Sequence, residues 1–135
     1  MIHKLPLRVY YEDTDAGGIV FYANYLKFAE RGRTEFLRAL GFENSGLAAA
    51  HNVLLVVRHI EADYLKPAKL DDMLELRTSV TGLAKVRMEM RQEIFHNDVK
   101  IFDMKVVLVA INMDGRPCPI PDEVADKLKG VLTIS

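Results

Sequence analysis

Three observations predict an α+β fold in which a mainly antiparallel five-stranded sheet wraps around one long central helix. A single stretch of helical period runs from Asn24 to Leu40, period-two alternation dominates from Val53 to Ile111, and one strand-like segment precedes the helix. One amphipathic helix and a sheet that is apolar on one face bury each other best when the sheet curls around the helix. The chain has 135 residues, 50% of them apolar, which fits one domain over residues 1–135 with a real core.

Leu5 to Tyr11 is β-branched and aromatic enough for a first strand, and Glu12 to Gly18 carries the Asp, Thr and Gly of a loop. Asn24 is a good N-cap for the helix that follows. Tyr25, Phe28, Ala29, Gly32, Phe36 and Leu40 recur along its apolar stripe, and Gly41 is the stop. A glycine inside a helix weakens it by roughly 1 kcal/mol relative to alanine, so Gly32 on that stripe predicts close approach to the sheet. A short helical piece is expected around Asn44 to Ala50.

Four strands then follow. Val53 to Tyr64 ends in alternation, with Arg58, Ile60, Ala62 and Tyr64 on one face and His59, Glu61 and Asp63 on the other. Leu74, Leu76, Thr78 and Val80 alternate with Glu75, Arg77, Ser79 and Thr81. Val86, Met88, Met90, Gln92 and Ile94 alternate with Lys85, Arg87, Glu89, Arg91 and Glu93, which gives a fully charged outer face. Val106 to Ile111 is apolar throughout, as a central or subunit-buried strand would be. Asp114-Gly115 marks a turn, and Asp122 to Lys129 reads as a helix capped by Asp122 and ended by Gly130. Sheet edges left open by a single-helix core predict a homodimer or homotetramer.

Eighteen basic and nineteen acidic residues leave a formal charge of -1, so no global field would gather nucleic acid or an anionic membrane. The single cysteine, Cys118, has no intramolecular partner and sits between two prolines with no base beside it, which reads as structural. The first residues lack the apolar core of a signal peptide, and no run approaches membrane-spanning length, so the expected location is cytoplasmic without integral membrane association.

The segment from Tyr11 to Tyr25 concentrates possible chemistry. Glu12, Asp13 and Asp15 precede Gly17 and Gly18, which would let a substrate approach the backbone, and the following helix start offers unpaired N–H donors. A carboxylate beside donors that stabilise an oxyanion is a minimal acyl-transfer site. Acids at this place also cap a helix and complement its dipole, so spacing alone leaves both readings open.

Asp13-Thr-Asp-Ala-Gly-Gly-Ile-Val-Phe-Tyr-Ala-Asn-Tyr-Leu26, followed by Phe28-Ala-Glu-Arg-Gly-Arg-Thr-Glu-Phe-Leu37, closely resembles the signature of hotdog-fold thioesterases of the 4-hydroxybenzoyl-CoA thioesterase type. The stretch from Val57 to Glu75 extends the likeness, which is greatest to the bacterial acyl-CoA thioesterase branch associated with the Tol-Pal envelope system. The resemblance implies hydrolysis of acyl-CoA thioesters with Asp15 as nucleophile or general base, Asp13 in support, and the backbone N–H of Tyr22 as oxyanion donor. Gly17 and Gly18 would add backbone donors, and Tyr25 would help line an apolar substrate pocket. Tyr22 departs from that branch, where histidine is frequent, and so blurs the acyl group.

No metal or redox cofactor is implied, because CoA belongs to the substrate. The family binds the nucleotide at a subunit interface, which points to Lys85, Arg87 and Arg116 as substrate-binding cations, although a charged strand face is also simply solvated. Arg58, Lys66 and Lys69 are weaker candidates. Contact with envelope or lipid-synthesis proteins is a partner class compatible with the likeness. His3, His51, His59 and His96 lack metal-site spacing, and the Gly-x-Ser-x-Gly elbow is absent. Glu30 lies on the helix, where related lineages carry a catalytic glutamate, but pairing with Arg33 or Thr34 also accounts for it. Two other readings remain: a non-catalytic acyl-thioester or protein-binding module, and a hotdog dehydratase, which would need a histidine before the helix.

Overall fold

The computed structural model describes residues 1–133. In chain order it contains β1 (His3–Arg8), a 3-10 turn (Tyr11–Asp13), α1 (Asn24–Ala39), α2 (Asn44–His51), β2 (Leu54–Tyr64), β3 (Met73–Leu83), β4 (Arg87–His96), β5 (Val99–Ile111) and α3 (Asp122–Gly130). The strands form one sheet in the order β1-β3-β4-β5-β2, with every neighbouring pair antiparallel. This is the expected hotdog arrangement, and it leaves β1 and β2 as edges.

The period-two pattern sorts the sheet as the sequence predicts. Leu74, Leu76, Thr78 and Val80 of β3 and Met88, Met90, Gln92 and Ile94 of β4 are all buried toward α1. On α1 the buried side chains include Tyr25, Phe28, Ala29, Phe36 and Leu37. Each large apolar side chain fully withdrawn from water contributes about 1.5–3 kcal/mol, which outweighs the modest intrinsic preference of this sequence for helix. Gly32 meets the sheet directly: a Cβ there would collide with Leu76 and stand 3.0 Å from both Thr78 Oγ1 and Gln92 Nε2.

Gln92 is a buried amide on an apolar face, and its hydrogen bonds explain why it is tolerated. Its Nε2 donates to the Ala29 carbonyl at 2.7 Å and to Thr78 Oγ1 at 3.1 Å, while its Oε1 accepts from Arg33 at 3.0 Å. Gly41 ends α1 at φ +95°, with the Phe42 N–H on the Leu37 carbonyl and the Gly41 N–H on that of Arg38, a Schellman closure.

Four local expectations are corrected. β1 stops at Arg8 rather than Tyr11, because Tyr11–Asp13 coils into a 3-10 turn and the Asp13 carboxylate takes the Tyr10 N–H at 2.9 Å. Arg58 does not alternate with Ile60, since the β2–β5 register shifts between Val57 and His59 and makes Arg58 the extra residue of a bulge. Asp122 is the first residue of α3 rather than its cap: extended Pro121 precedes the helix and no side chain caps it. Asn24 does not cap α1 either; its side chain serves the loop described below. Among the described residues, no helix is long and apolar enough to cross a membrane.

Candidate active site

The loop from Thr14 to Val20 closes on itself. Thr14 bridges to Val20, Asp15 N–H reaches the Ile19 carbonyl at 2.9 Å, and Gly18 N–H returns to the Asp15 carbonyl at 3.1 Å. It is fastened to the segment after β2 by Val20 N–H on Ala68 O at 2.9 Å and Leu70 N–H on Gly18 O at 3.1 Å. Gly18 adopts φ +76°, a left-handed conformation that glycine takes without strain.

The two aspartates separate cleanly. Asp13 is 5% exposed, its Oδ2 holding the Tyr10 N–H at 2.9 Å and its Oδ1 the Asn24 Nδ2 at 2.9 Å. Phe21 N–H adds a bond to the Asp13 carbonyl at 3.0 Å, so this residue clasps the loop to the first turn of α1. Asp15 is exposed; Oδ1 accepts the Gly17 N–H at 2.8 Å, and Oδ2 has no partner among the described residues. A side chain at 17 would press on that carboxylate, since a Cβ there lies 3.2 Å from Oδ1.

At the helix start the N–H groups of Tyr22 and Ala23 have no acceptor among the described residues. With Ala23 already helical and no side-chain cap, α1 begins with open donors and the positive end of its dipole at the loop. The structure therefore brings Asp15 and Tyr22 to one loop–helix junction. The expectation that Gly17 and Gly18 supply oxyanion donors is corrected, because both N–H groups are used within the loop to hold Asp15.

Tyr25 is 3% exposed, stacked on Phe102 at 5.0 Å, with its hydroxyl accepting the Ala68 N–H at 3.1 Å. Burial, partly offset by that bond, pushes its phenol above the ordinary tyrosine value. Packing accounts for its position. Sequence reasoning gave no chemistry to Tyr64, the last residue of β2, yet its hydroxyl donates to the Tyr22 carbonyl at 3.0 Å. Alternation marked its face, but nothing local marked that bond.

Lys85, Arg87 and Arg116 sit at the other end of the sheet. The Lys85 carbonyl accepts Ile120 N–H at 2.9 Å, Arg87 pairs with Val109, and Arg116 lies in the turn after β5, its N–H on Asn112 Oδ1 at 3.1 Å. All three are exposed and form no ion pair among the described residues, unlike Arg91, which pairs with Asp103 at 2.9 Å. Phe102, opposite Tyr64, marks the loop end of β5, and Val109, opposite Arg87, lies seven residues on. At ~3.4 Å per residue the two ends are about 24 Å apart in one protomer. Glu30 is exposed on α1, about 12 Å along the helix from Tyr22 at 1.5 Å per residue. His51, His59 and His96 each face a carboxylate, and no cluster of metal-ligating side chains occurs among the described residues.

The fold is a sheet wrapped around one helix, and its loop–helix junction holds an acid with one oxygen unpaired and two N–H groups without acceptors among the described residues. The chain belongs to the thioesterase-like superfamily, whose pattern matches residues 9–128. It is 37% identical over 130 residues to the acyl-CoA thioester hydrolase YbgC of Escherichia coli O6:H1, covering 95% of this chain and 96% of that one. It is 38% identical over 122 residues to the acyl-CoA thioesterase YbgC of Haemophilus influenzae, covering 90% of each. The crystal structure of a probable thioesterase from Bartonella henselae superposes with a TM-score of 0.87 at 40% identity, covering 90% of this chain and all of that one.

Proposed function

We propose that this protein hydrolyses acyl-CoA thioesters to the free acid and CoA, with Asp15 attacking the thioester carbonyl or deprotonating the water that does. One observation carries the proposal: the Asp15 carboxylate, oriented by Gly17, shares a loop–helix junction with the Tyr22 N–H, and among the described residues both Oδ2 and that N–H are without partners. As the carbonyl becomes tetrahedral its oxygen gains negative charge, and the Tyr22 N–H with the α1 dipole lowers that charge's energy. A good donor of this kind is typically worth about 3–4 kcal/mol. Attack by Oδ2 forms a mixed anhydride and expels CoA as thiolate, and water then cleaves the anhydride to regenerate Asp15. In the general-base route water adds directly as its proton passes to Asp15, and the tetrahedral intermediate then breaks its C–S bond to give the acid and CoA thiolate, which takes the proton back from Asp15.

The substrate's nucleotide is a polyanion, and we assign it to Lys85, Arg87 and Arg116 of a second protomer. Those cations are about 24 Å from the Asp15 end of their own sheet. β2 offers an open edge of 11 residues through which a second copy can pair, consistent with a dimer or a dimer of dimers.

Release of free CoA from a panel of short aliphatic, long aliphatic and aromatic acyl-CoAs tests the proposal. Turnover by wild type that is lost in Asp15→Ala is expected. Equal turnover by both proteins, or binding without turnover by wild type, would overturn it, the second outcome in favour of a binding module.

A further inference from the structure

Tyr22 precedes Ala23, the cap of α1, so its carbonyl lies outside the helix's own ladder, and the Leu26 N–H bonds Ala23 O at 3.2 Å in the 3-10 manner. The peptide before Tyr22 is fixed by its own carbonyl, since Phe21 O accepts the Asn24 N–H at 2.8 Å. The peptide after it, which carries the Ala23 N–H, is held from outside the helix. Tyr64, at the end of β2, donates its hydroxyl to Tyr22 O at 3.0 Å.

We propose that Tyr64 is a positioning residue of the thioester hydrolysis: its hydroxyl anchors the Tyr22–Ala23 peptide, which polarises the Ala23 N–H and holds the backbone of Tyr22, and with it the Tyr22 N–H, where the oxyanion forms. The inference rests on the reading of the Asp15–Tyr22 junction as the catalytic site.

Three features make Tyr64 suited to the task. Its ring is held edge-on by Tyr25 at 5.3 Å and by Phe102 at 5.2 Å, and it meets the Tyr22 ring at 6.4 Å, so the hydroxyl is aimed by packing. A bond accepted by a peptide carbonyl strengthens the same peptide's N–H as a donor, here that of Ala23, while the Tyr22 N–H on the preceding peptide is held in place. β2 is paired to β5 along its length, and its last residue therefore ties the start of α1 to the sheet.

The test is steady-state CoA release by the full chain with an acyl-CoA that wild type hydrolyses. Tyr64→Phe keeps the ring and removes the bond; kcat is expected to fall about tenfold, less than deletion of a donor itself, with KM within about twofold and an unchanged melting temperature. A fluorinated tyrosine at 64, isosteric but with a lower phenol pKa, is expected to introduce a falling limb in kcat at high pH that wild type lacks. A wild-type kcat in Tyr64→Phe overturns the proposal, as does a loss of kcat explained by a lower melting temperature. If Tyr64→Phe does not fold, the fluorinated protein decides, and an unchanged pH profile overturns the proposal. Asp15→Ala is assayed in parallel: inactivity there with an unaffected Tyr64→Phe overturns only the role of Tyr64, whereas activity there overturns the catalytic reading beneath it.

Discussion

Two regions of this protein concentrate charge, and they treat it in opposite ways. On the outer face of β4 and β5, Arg91 grips Asp103 with two nitrogens at 2.9 and 3.2 Å, and Lys100 reaches Glu93 at 3.0 Å and Asp103 at 3.2 Å. Each of these four charges has an opposite neighbour. At the loop–helix junction, among the described residues, Asp15 keeps an oxygen free and the Tyr22 and Ala23 N–H groups lack acceptors, with Asp13 and Asn24 bonded beneath them. A closed network supports the sheet, whereas an open one held by a closed one is what the proposed site would need to receive a substrate's charge.

This contrast can be broken or sharpened by experiment. The largest expected effect is recovery of activity on mixing two inactive proteins, Asp15→Ala and the triple variant Lys85→Ala, Arg87→Ala, Arg116→Ala. Mixed oligomers regain a site made of Asp15 from one protomer and cations from the other. CoA release that stays at background after subunit exchange would contradict the assignment of the cations to a second copy.

Asp13→Ala removes a buried acceptor of two bonds, leaving the Tyr10 N–H and Asn24 amide unpaired, and is expected to cost about 2–4 kcal/mol. Urea unfolding measures that loss, and activity should drop with it because the helix start is no longer clasped to the loop. Gly32→Ala gains helix propensity but drives a methyl into Leu76, for a net loss of about 1–3 kcal/mol visible as a lower melting temperature with little change in KM.

The smallest effect belongs to the closed network. The Arg91 hydrogen bonds hold the Asp103 carboxyl below its usual range, opposed by desolvation and assisted by Lys100. The unfolded chain binds that proton more readily, so the contribution is present above the unfolded pKa near 4 and is lost as pH falls through the lower folded value. Partial exposure and screening keep it below about 1 kcal/mol, to be read as a shallower acid-induced loss of stability in Asp103→Asn than in wild type.

Much of the fold was legible because it depends on periodicity. The α1 stripe, the alternation of β3 and β4 and the close approach at Gly32 all follow from the burial that one helix and one curled sheet require. Capping was misread at Asn24, where a good local rule lost to a tertiary bond: the amide holds Asp13 instead of its own helix. Arg58 was misplaced because a bulge is set by strand pairing, not by the strand's own pattern. At the site, the acids before the helix were visible from spacing, the choice among them came from family resemblance, and their division of labour appears only in the bonds. Tyr64 was out of reach, since its partner lies 42 residues away in sequence and no local signal links the two.

In the proposed mechanism the negative charge of Asp15, and not merely the shape of its loop, drives thioester hydrolysis. Asp15→Asn tests it most directly, because the amide oxygen can still accept the Gly17 N–H and keep the loop in place. With the fold verified by an unchanged melting temperature, kcat for CoA release is predicted to fall by roughly a thousandfold, since the catalytic group itself is neutralised. A kcat within tenfold of wild type would contradict the account.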